Sequence, residues 1–351
     1  MKTVIIIPSL NPDDKLIGYV DELIKAGQKD ILLIDDGSDA EHRKHFDEII
    51  AKYDVMLLTH AVNMGKGRAL KDAFNYCLTE LKDFDGVITV DSDGQHTVAD
   101  VLRMKEALEE NKDSLILGAR NFSKSNVPPK SEFGNKVTRV VMKLLYGGSI
   151  TDTQTGLRAA SYEVLPKFIT LFGERFEYET GMLIEALKQE IPIKEIEIET
   201  IYLEENKGTH FRPLVDSWKI YKLILGTFLK YSLASILSAV LDLGLFHLLV
   251  NLFGSFALGK AVWLATAGAR VVSSIFNYLV NKNVVFEAGK SKGTLVKYYL
   301  LCIIQMCLSA GLVWLLCSVI GLPKVLIKAI VDGILFLISF RVQKKWVFKD
   351  K

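Results

Sequence analysis

The chain is poor in the residues that mark several common functions. Its 351 residues include only four cysteines and eight prolines. Cys77 lies in a helical pattern, and Cys302, Cys307 and Cys317 share one apolar block. That spacing suits neither a zinc site nor a secreted disulfide framework, so the cysteines read as small hydrophobes. Net charge is only +2 and no long basic or acidic tail exists, which gives no support to nucleic-acid binding. Neither GxxxxGK(S/T) nor a helix-opening GxGxxG occurs, which excludes the P-loop and dinucleotide fingerprints. The apolar run in residues 1–12 is too short for a signal peptide and passes directly into a strand–helix pattern. The first half is therefore expected in the cytoplasm.

Apolar residues make up half of the chain, but they are unevenly spread. Up to about Tyr221 the sequence reads as an ordinary globular domain. Short apolar runs at 3–8, 31–34, 55–59, 87–90 and 114–118 alternate with amphipathic segments at 15–26, 41–53, 68–81 and 98–111. Continuous apolar strands alternating with helices predict a mostly parallel sheet covered on both faces. Ligands of such sheets bind beyond the carboxyl ends of the strands.

The residues at those ends are polar in every case. Pro8, Asn11 and Asp13 follow the first strand, and Asp35-Asp36-Gly37-Ser38 follows the second. The third leads to Asn63-Met64-Gly65-Lys66-Gly67-Arg68, whose glycines permit close backbone approach to a planar or phosphorylated ligand. Any one of these groups has an alternative reading as turn residues and helix caps. Four of them at the ends of one sheet point to a site. The fourth is Asp91-Ser92-Asp93-Gly94-Gln95-His96. If the backbone stays extended, Asp91, Asp93 and Gln95 share one side. Two carboxylates and an amide oxygen suit Mg²⁺ or Mn²⁺ with phosphate oxygens completing the shell. His96 reads as a polar neighbour rather than a ligand.

Asp35-Asp36-Gly37-Ser38, the 63–68 loop, the DxD-plus-Gln set and Gly118-Ala119-Arg120 occur in the order of a known family. Together they resemble family-two inverting glycosyltransferases of the GT-A fold, in particular the dolichyl- and polyprenyl-phosphate sugar synthases. The resemblance implies an α/β GT-A (Rossmann-like) domain over residues 1–212. It implies that Pro8 and Asn11 line the nucleobase and ribose pocket and that Asp36 bonds the base or ribose. Gly65 and Lys66 join them in holding the donor. Asp91, Asp93 and Gln95 hold the metal and the donor diphosphate. Arg120 sits between that diphosphate and the acceptor phosphate. Pro12 stands where the family usually has an acid, with Asp13 a substitute one residue on. Asp152-Thr153-Gln154-Thr155-Gly156-Leu157-Arg158 and Arg175-Phe176-Glu177-Tyr178-Glu179-Thr180 resemble two further family segments. A lipid-phosphate acceptor is already an anion at neutral pH and needs no strong base, but cations must offset repulsion between two phosphorylated substrates. Arg120, Lys130, Lys207, His210 and Arg212 are the candidates.

Blocks at 228–252, 256–280, 296–320 and 325–342 each approach the length needed to span a membrane. Lys282, Lys290, Lys292 and Lys297 lie between the second and third, and Lys344, Lys345, Lys349 and Lys351 follow the fourth. Mainly Lys260 and Lys324 lie on the other side, so the positive-inside rule places both termini in the cytoplasm of a multi-pass protein of the cell membrane. Lys230-Tyr231 matches Lys297-Tyr298, and Asn281-Lys282-Asn283-Val284-Val285-Phe286 matches Gln343-Lys344-Lys345-Trp346-Val347-Phe348. The blocks thus read as two helical hairpins in tandem. This half, 228–351, resembles the GtrA-like four-helix membrane proteins, which are associated with moving or presenting polyprenyl-phosphate sugars. Asp242, Arg270 and Asp332 are intramembrane charges, read either as a headgroup path or as structural pairs. Residues 213–227, with Trp218, Lys219, Tyr221 and Lys222, read as an interfacial juxtamembrane helix.

The expected activity is transfer of a sugar from a UDP- or GDP-linked donor to a polyprenyl phosphate at the cytoplasmic membrane face, in cell-envelope polysaccharide chemistry. A processive polysaccharide synthase is one rival, weakened by the lack of a QxxRW-like segment. A non-catalytic lipid-linked-sugar flippase is the other. Sugar, nucleotide, lipid length and homo-oligomer formation are left open.

Overall fold

The computed structural model describes residues 2–122, 129–199, 212–253, 258–289, 293–319 and 322–349. The chain divides into two compact units, Met1–Ile224 and Leu225–Lys351.

The first unit is built on seven strands: β1 (Thr3–Ser9), β2 (Ile31–Asp35), β3 (Met56–Thr59), β4 (Gly86–Thr89), β5 (Leu115–Arg120), β6 (Arg158–Ser161) and β7 (Ile193–Ile198). Their order in the sheet is β3-β2-β1-β4-β6-β5-β7. The first four pair in parallel, whereas β6 runs antiparallel between β4 and β5. The mostly parallel sheet is thus a mixed one, and two of its strands escape the apolar-run criterion. β6 reads Arg-Ala-Ala-Ser and β7 alternates Ile-Lys-Glu-Ile-Glu-Ile, so neither forms a continuous apolar run.

Helices α1 (Lys15–Lys25), α2 (Ala40–Lys52), α3 (Lys66–Glu80) and α4 (Val98–Glu110) cover the parallel half. Leu16, Tyr19, Val20 and Leu23 recur at three- and four-residue spacing, which puts one apolar stripe of α1 on the sheet. Asp39 and Thr97 cap α2 and α4 by accepting from the His42 and Asp100 amides. The remaining helices of this unit are α5 (Pro129–Tyr146), α6 (Pro166–Ile169) and α7 (Glu177–Lys188).

Four helices follow: α8 (Pro213–Leu252), α9 (Leu258–Val280), α10 (Thr294–Val319) and α11 (Lys324–Val342). α8 is continuous across 40 residues, so the segment expected as a separate juxtamembrane helix is its first four turns. Among the described residues, two spans, Leu214–Leu252 and Thr294–Val319, are long and apolar enough to cross a membrane, rather than the four expected. The shorter α9 carries Lys260 and Arg270, and α11 carries Lys328 and Asp332.

α9 and α11 each end in a π-turn, at Asn281–Val285 and Gln343–Val347. Asn281 and Gln343, at matching places in the two turns, bond to each other at 3.1 Å. Tyr298 donates to Asn277 at 2.9 Å, while Gln343 donates to Tyr231 at 3.3 Å. Phe286 and Phe348, again at matching places, stack with centroids 5.3 Å apart.

Candidate functional site

The parallel strands β1, β2, β3 and β4 all release their chain at one edge of the sheet. Their loops enclose a cleft of ≈ 420 Å³ lined by Pro8, Asn11, Asp13, Asp36, Gly65, Lys66, Asp91 and Asp93, with Arg175 and Phe176 from the later chain. Every residue expected to bind the donor, Gln95 apart, therefore lines one cleft.

Some of them hold the loops as much as they face the cleft. Asn11 is left-handed at φ 49°, its amide donates to Ser38 Oγ at 2.9 Å, and its Oδ1 accepts from the Asp39 amide at 3.0 Å. Asp36 Oδ1 accepts from the Met64 amide at 2.9 Å and lies 2.8 Å from His60 Nδ1, while Oδ2 accepts from the Gly65 amide at 2.7 Å. The carboxylate expected at the base or ribose thus already shapes the glycine-rich loop. Only glycine fits at 65, because φ is +103° and a Cβ would lie 2.4 Å from the Glu174 carbonyl. Asp36→Ala leaves two amides unsatisfied, each worth about 1–3 kcal/mol when buried. We expect donor KM to rise roughly tenfold or more with circular dichroism unchanged, checked by initial rates against donor concentration.

The acid pair does not stay extended. After β4 the chain turns through Ser92 and Asp93, with Gly94 at φ +75°. The turn, not the pleat, brings both carboxylates to the cleft. Gln95 donates its amide to Asp93 Oδ1 at 3.1 Å and is not a cleft-lining residue. His96 is buried, with Nε2 3.5 Å from Asp91 Oδ2, as a polar neighbour would be.

The strongest feature is a lysine. Lys66, at the start of α3, puts Nζ 2.6 Å from Asp91 Oδ1 and 3.1 Å from Glu179 Oε1. Burial alone would raise the Asp91 carboxyl, but Lys66 and His96 hold it well below the usual carboxylate range. Asp93 is pushed the other way, by burial and by the charge of Asp91. Burial of Lys66 is outweighed by Asp91 and Glu179, which keep it charged. Among the described residues, no group of three or more His, Cys, Asp or Glu could by itself hold a metal ion. Two carboxylates with one carboxyl raised by its neighbour's charge still fit an oxygen-seeking divalent ion whose other ligands come from substrate and water.

Gly156 forms the wall behind Asp91: a Cβ there would lie 2.2 Å from Oδ2. The 151–156 loop is fixed from several sides. Asn135 Nδ2 donates to the Thr151 carbonyl at 2.7 Å, Asn135 Oδ1 accepts from the Thr153 amide at 2.9 Å, and Thr89 Oγ1 donates to the Gly156 carbonyl at 2.9 Å. Asp152 is fully buried and takes a bidentate contact from Arg120, Nε to Oδ2 at 2.7 Å and Nη2 to Oδ1 at 3.0 Å. Arg120, expected between two phosphates, has this fork engaged by Asp152.

Arg158, quoted in the sequence only as the end of a family-like segment, has a structural part at the site. It is buried and donates to the Thr155 carbonyl at 2.9 Å and the Glu179 carbonyl at 2.5 Å, tying the loop to α7. The signal for Glu179, Gly156 and Arg158 was present in the two later segments, but nothing in their spacing assigned roles. Of the acceptor-side cations, Arg212 is exposed, with Nη2 3.6 Å from Asp216. The Lys130 side chain, Lys207 and His210 lie outside the described residues.

In the second unit, Arg270 pairs with Asp242 at 3.3 Å, and Ser273 Oγ donates to Asp242 at 2.7 Å. Asp332 pairs instead with Lys328 on its own helix, at 2.8 Å. The three charges expected along one path are therefore divided between two pairs, and only Asp332 lines a cavity among those described.

The profile of glycosyl transferase family 2 matches residues 4–168, and that of the GtrA/DPMS transmembrane domain matches residues 230–348. The uncharacterized protein MJ1222 of Methanocaldococcus jannaschii is 34% identical over 63% of this chain and 90% of its own length. The UDP-N-acetylglucosamine–dolichyl-phosphate N-acetylglucosaminyltransferase of Methanococcus voltae is 26% identical, covering 63% of this chain and 94% of its own. The undecaprenyl-phosphate 4-deoxy-4-formamido-L-arabinose transferase of Proteus mirabilis is 23% identical over 79% of this chain and 84% of its own.

Proposed function

Because the chain belongs to glycosyl transferase family 2 and carries a GtrA/DPMS transmembrane domain, we propose that it moves a sugar from a nucleotide diphosphate to a polyprenyl phosphate at the cytoplasmic membrane face. Relatives that use dolichyl and undecaprenyl phosphate support the acceptor class. The observation that carries the reading is the Lys66–Asp91–Asp93 cluster at the floor of a cleft formed by the strand-end loops.

Pro8, Asn11 and Asp13 form the wall for the nucleoside, and the Gly65–Lys66 turn faces the diphosphate. Asp91 and Asp93 would hold Mg²⁺ or Mn²⁺, which supplies charge neutralisation at the leaving diphosphate. The acceptor phosphate attacks the anomeric carbon in line. The carbon–oxygen bond to the nucleotide diphosphate breaks and the configuration inverts. No general base is required, because the nucleophile is already ionised. Lys66 and Arg212 bring positive charge toward the paired anions, and the Arg120–Asp152 pair fixes the loop behind Asp91.

The second unit anchors this chemistry. We read four spans with both termini in the cytoplasm, on the lysine distribution between the helices. The matched contacts of Asn281 with Gln343 and of Phe286 with Phe348 support a tandem duplication of one hairpin.

The test is turnover. Purified protein is incubated with UDP- and GDP-sugars, undecaprenyl phosphate and Mn²⁺, and released nucleotide diphosphate and lipid-linked sugar are followed. Release with one donor that depends on the lipid is the expected result. Folded protein that releases nothing with any donor would overturn the reading in favour of a binding or transport protein.

A further inference from the structure

We propose that the cavity between α10 and α11 binds the sugar headgroup of the lipid-linked product, through Lys328, Asp332 and Ser309. This assignment rests on the transfer reading above for its ligand class and on the second unit alone for its geometry.

The cavity measures ≈ 670 Å³, within the range of small-molecule sites. Its polar lining is Gln305, Ser309, Lys328 and Asp332, and Met306 and Phe336 are among its apolar walls. Lys328 Nζ donates to Asp332 Oδ2 at 2.8 Å, Ser309 Oγ donates to Asp332 Oδ1 at 2.5 Å, and Lys328 Nζ reaches Ser309 Oγ at 3.5 Å. Charges in apolar helices are costly and stay where they are paired or functional.

The two hairpins use their charges differently. In the first, Asp242 on α8 meets Arg270 on α9, so the ion pair ties two helices. In the second, Lys328 and Asp332 stand one turn apart on α11, and it is the Ser309 hydroxyl, not the partner charge, that bonds Asp332 to α10. The Lys328 and Asp332 side chains are 59% and 46% exposed beside an open cavity. The tie between helices in the first arrangement is the ion pair itself, whereas in the second a hydroxyl makes that tie and the Lys328 charge remains as lining of the cavity.

The chemistry of the lining selects the ligand. The ion pair is neutral as a unit, so a phosphate would meet no net positive charge from it. A sugar offers hydroxyls that donate to Asp332 and accept from Lys328, and its C–H face suits the ring of Phe336. The apolar side of the cavity suits the attached lipid.

Cys302 lines the cavity, whereas Cys307 and Cys317 do not. Alkylation of Cys302 by N-ethylmaleimide in the full chain in nanodiscs, read by peptide mass against those two cysteines, therefore reports occupancy. The probes are citronellyl-phosphoryl glucose, its N-acetylglucosamine counterpart and citronellyl phosphate. At about four times its Kd a sugar-bearing probe should slow Cys302 labelling about fivefold, by mass action. Asp332→Asn should raise the concentration needed by about tenfold, the value of one charged hydrogen bond. It should leave turnover within about twofold of wild type, which also reports that the variant is folded. Equal protection by citronellyl phosphate, or no protection in protein that turns over, would overturn the assignment. Sugar-dependent protection in protein that fails to turn over would instead sink the transfer reading and leave the cavity assignment standing.

Discussion

Asp93→Ala is expected to lower turnover by roughly 10³-fold or more, the scale on which a preorganised charge at a reacting diphosphate acts. The residue is suited to the role by position. Asp93 lines the cleft, and burial together with the charge of Asp91 beside it pushes its carboxyl upward, so like-charge repulsion acts within the pair. An arriving cation would relieve that repulsion. In the variant the divalent dependence should disappear along with the rate, while the far-ultraviolet circular dichroism stays that of wild type. Initial rates across a Mn²⁺ titration measure both quantities. Rates within tenfold of wild type would remove Asp93 from the site and the divalent ion from the reaction.

Gly156→Ala should cost roughly 10²-fold in kcat/KM, the penalty for about an ångström of misplacement at a reacting centre. The added Cβ would lie 2.2 Å from Asp91 Oδ2 and 2.8 Å from Oδ1, and one of the two must move. The loop cannot easily yield, because Thr89 holds the Gly156 carbonyl and Asn135 holds Thr151 and Thr153. Asp91 then swings off Lys66. The backbone at 156 is not left-handed, so alanine adds no conformational strain there. Gly94→Ala is the matching control: its φ of +75° imposes strain, yet open space surrounds the new methyl group. A larger loss at Gly94 than at Gly156 would mean that turn flexibility, and not the Asp91 contact, limits the reaction.

The parallel half of the fold was legible because its strands are continuous apolar runs and its helices carry one apolar stripe each. Most of the donor site was legible for the same reason, since a parallel sheet delivers its strand ends to one edge. β6 was not: it is four residues long, starts on a buried arginine, and exists because β4 and β5 flank it. Arg120 shows the other limit. A guanidinium near a phosphate site reads as free until the partner carboxylate appears, and Asp152 lies 32 residues away. Lys66 likewise looked like a phosphate contact within a glycine-rich loop. Only the tertiary fold sets its ammonium between Asp91 and Glu179. The intramembrane charges were legible as charges, whereas their division into an interhelical pair and an intrahelical pair was not.

The exchanged contacts of the second unit have a consequence for biosynthesis. Tyr231 midway along α8 is met by Gln343 after α11, and Asn281 closes on the same glutamine. A ribosome delivers the first hairpin to the membrane well before Gln343 exists. Until then, Asn281 has its bond to Asn277 but not the one to Gln343, and the Tyr231 hydroxyl lacks its Gln343 donor. The seam between the two hairpins is therefore complete only once Gln343 has been made.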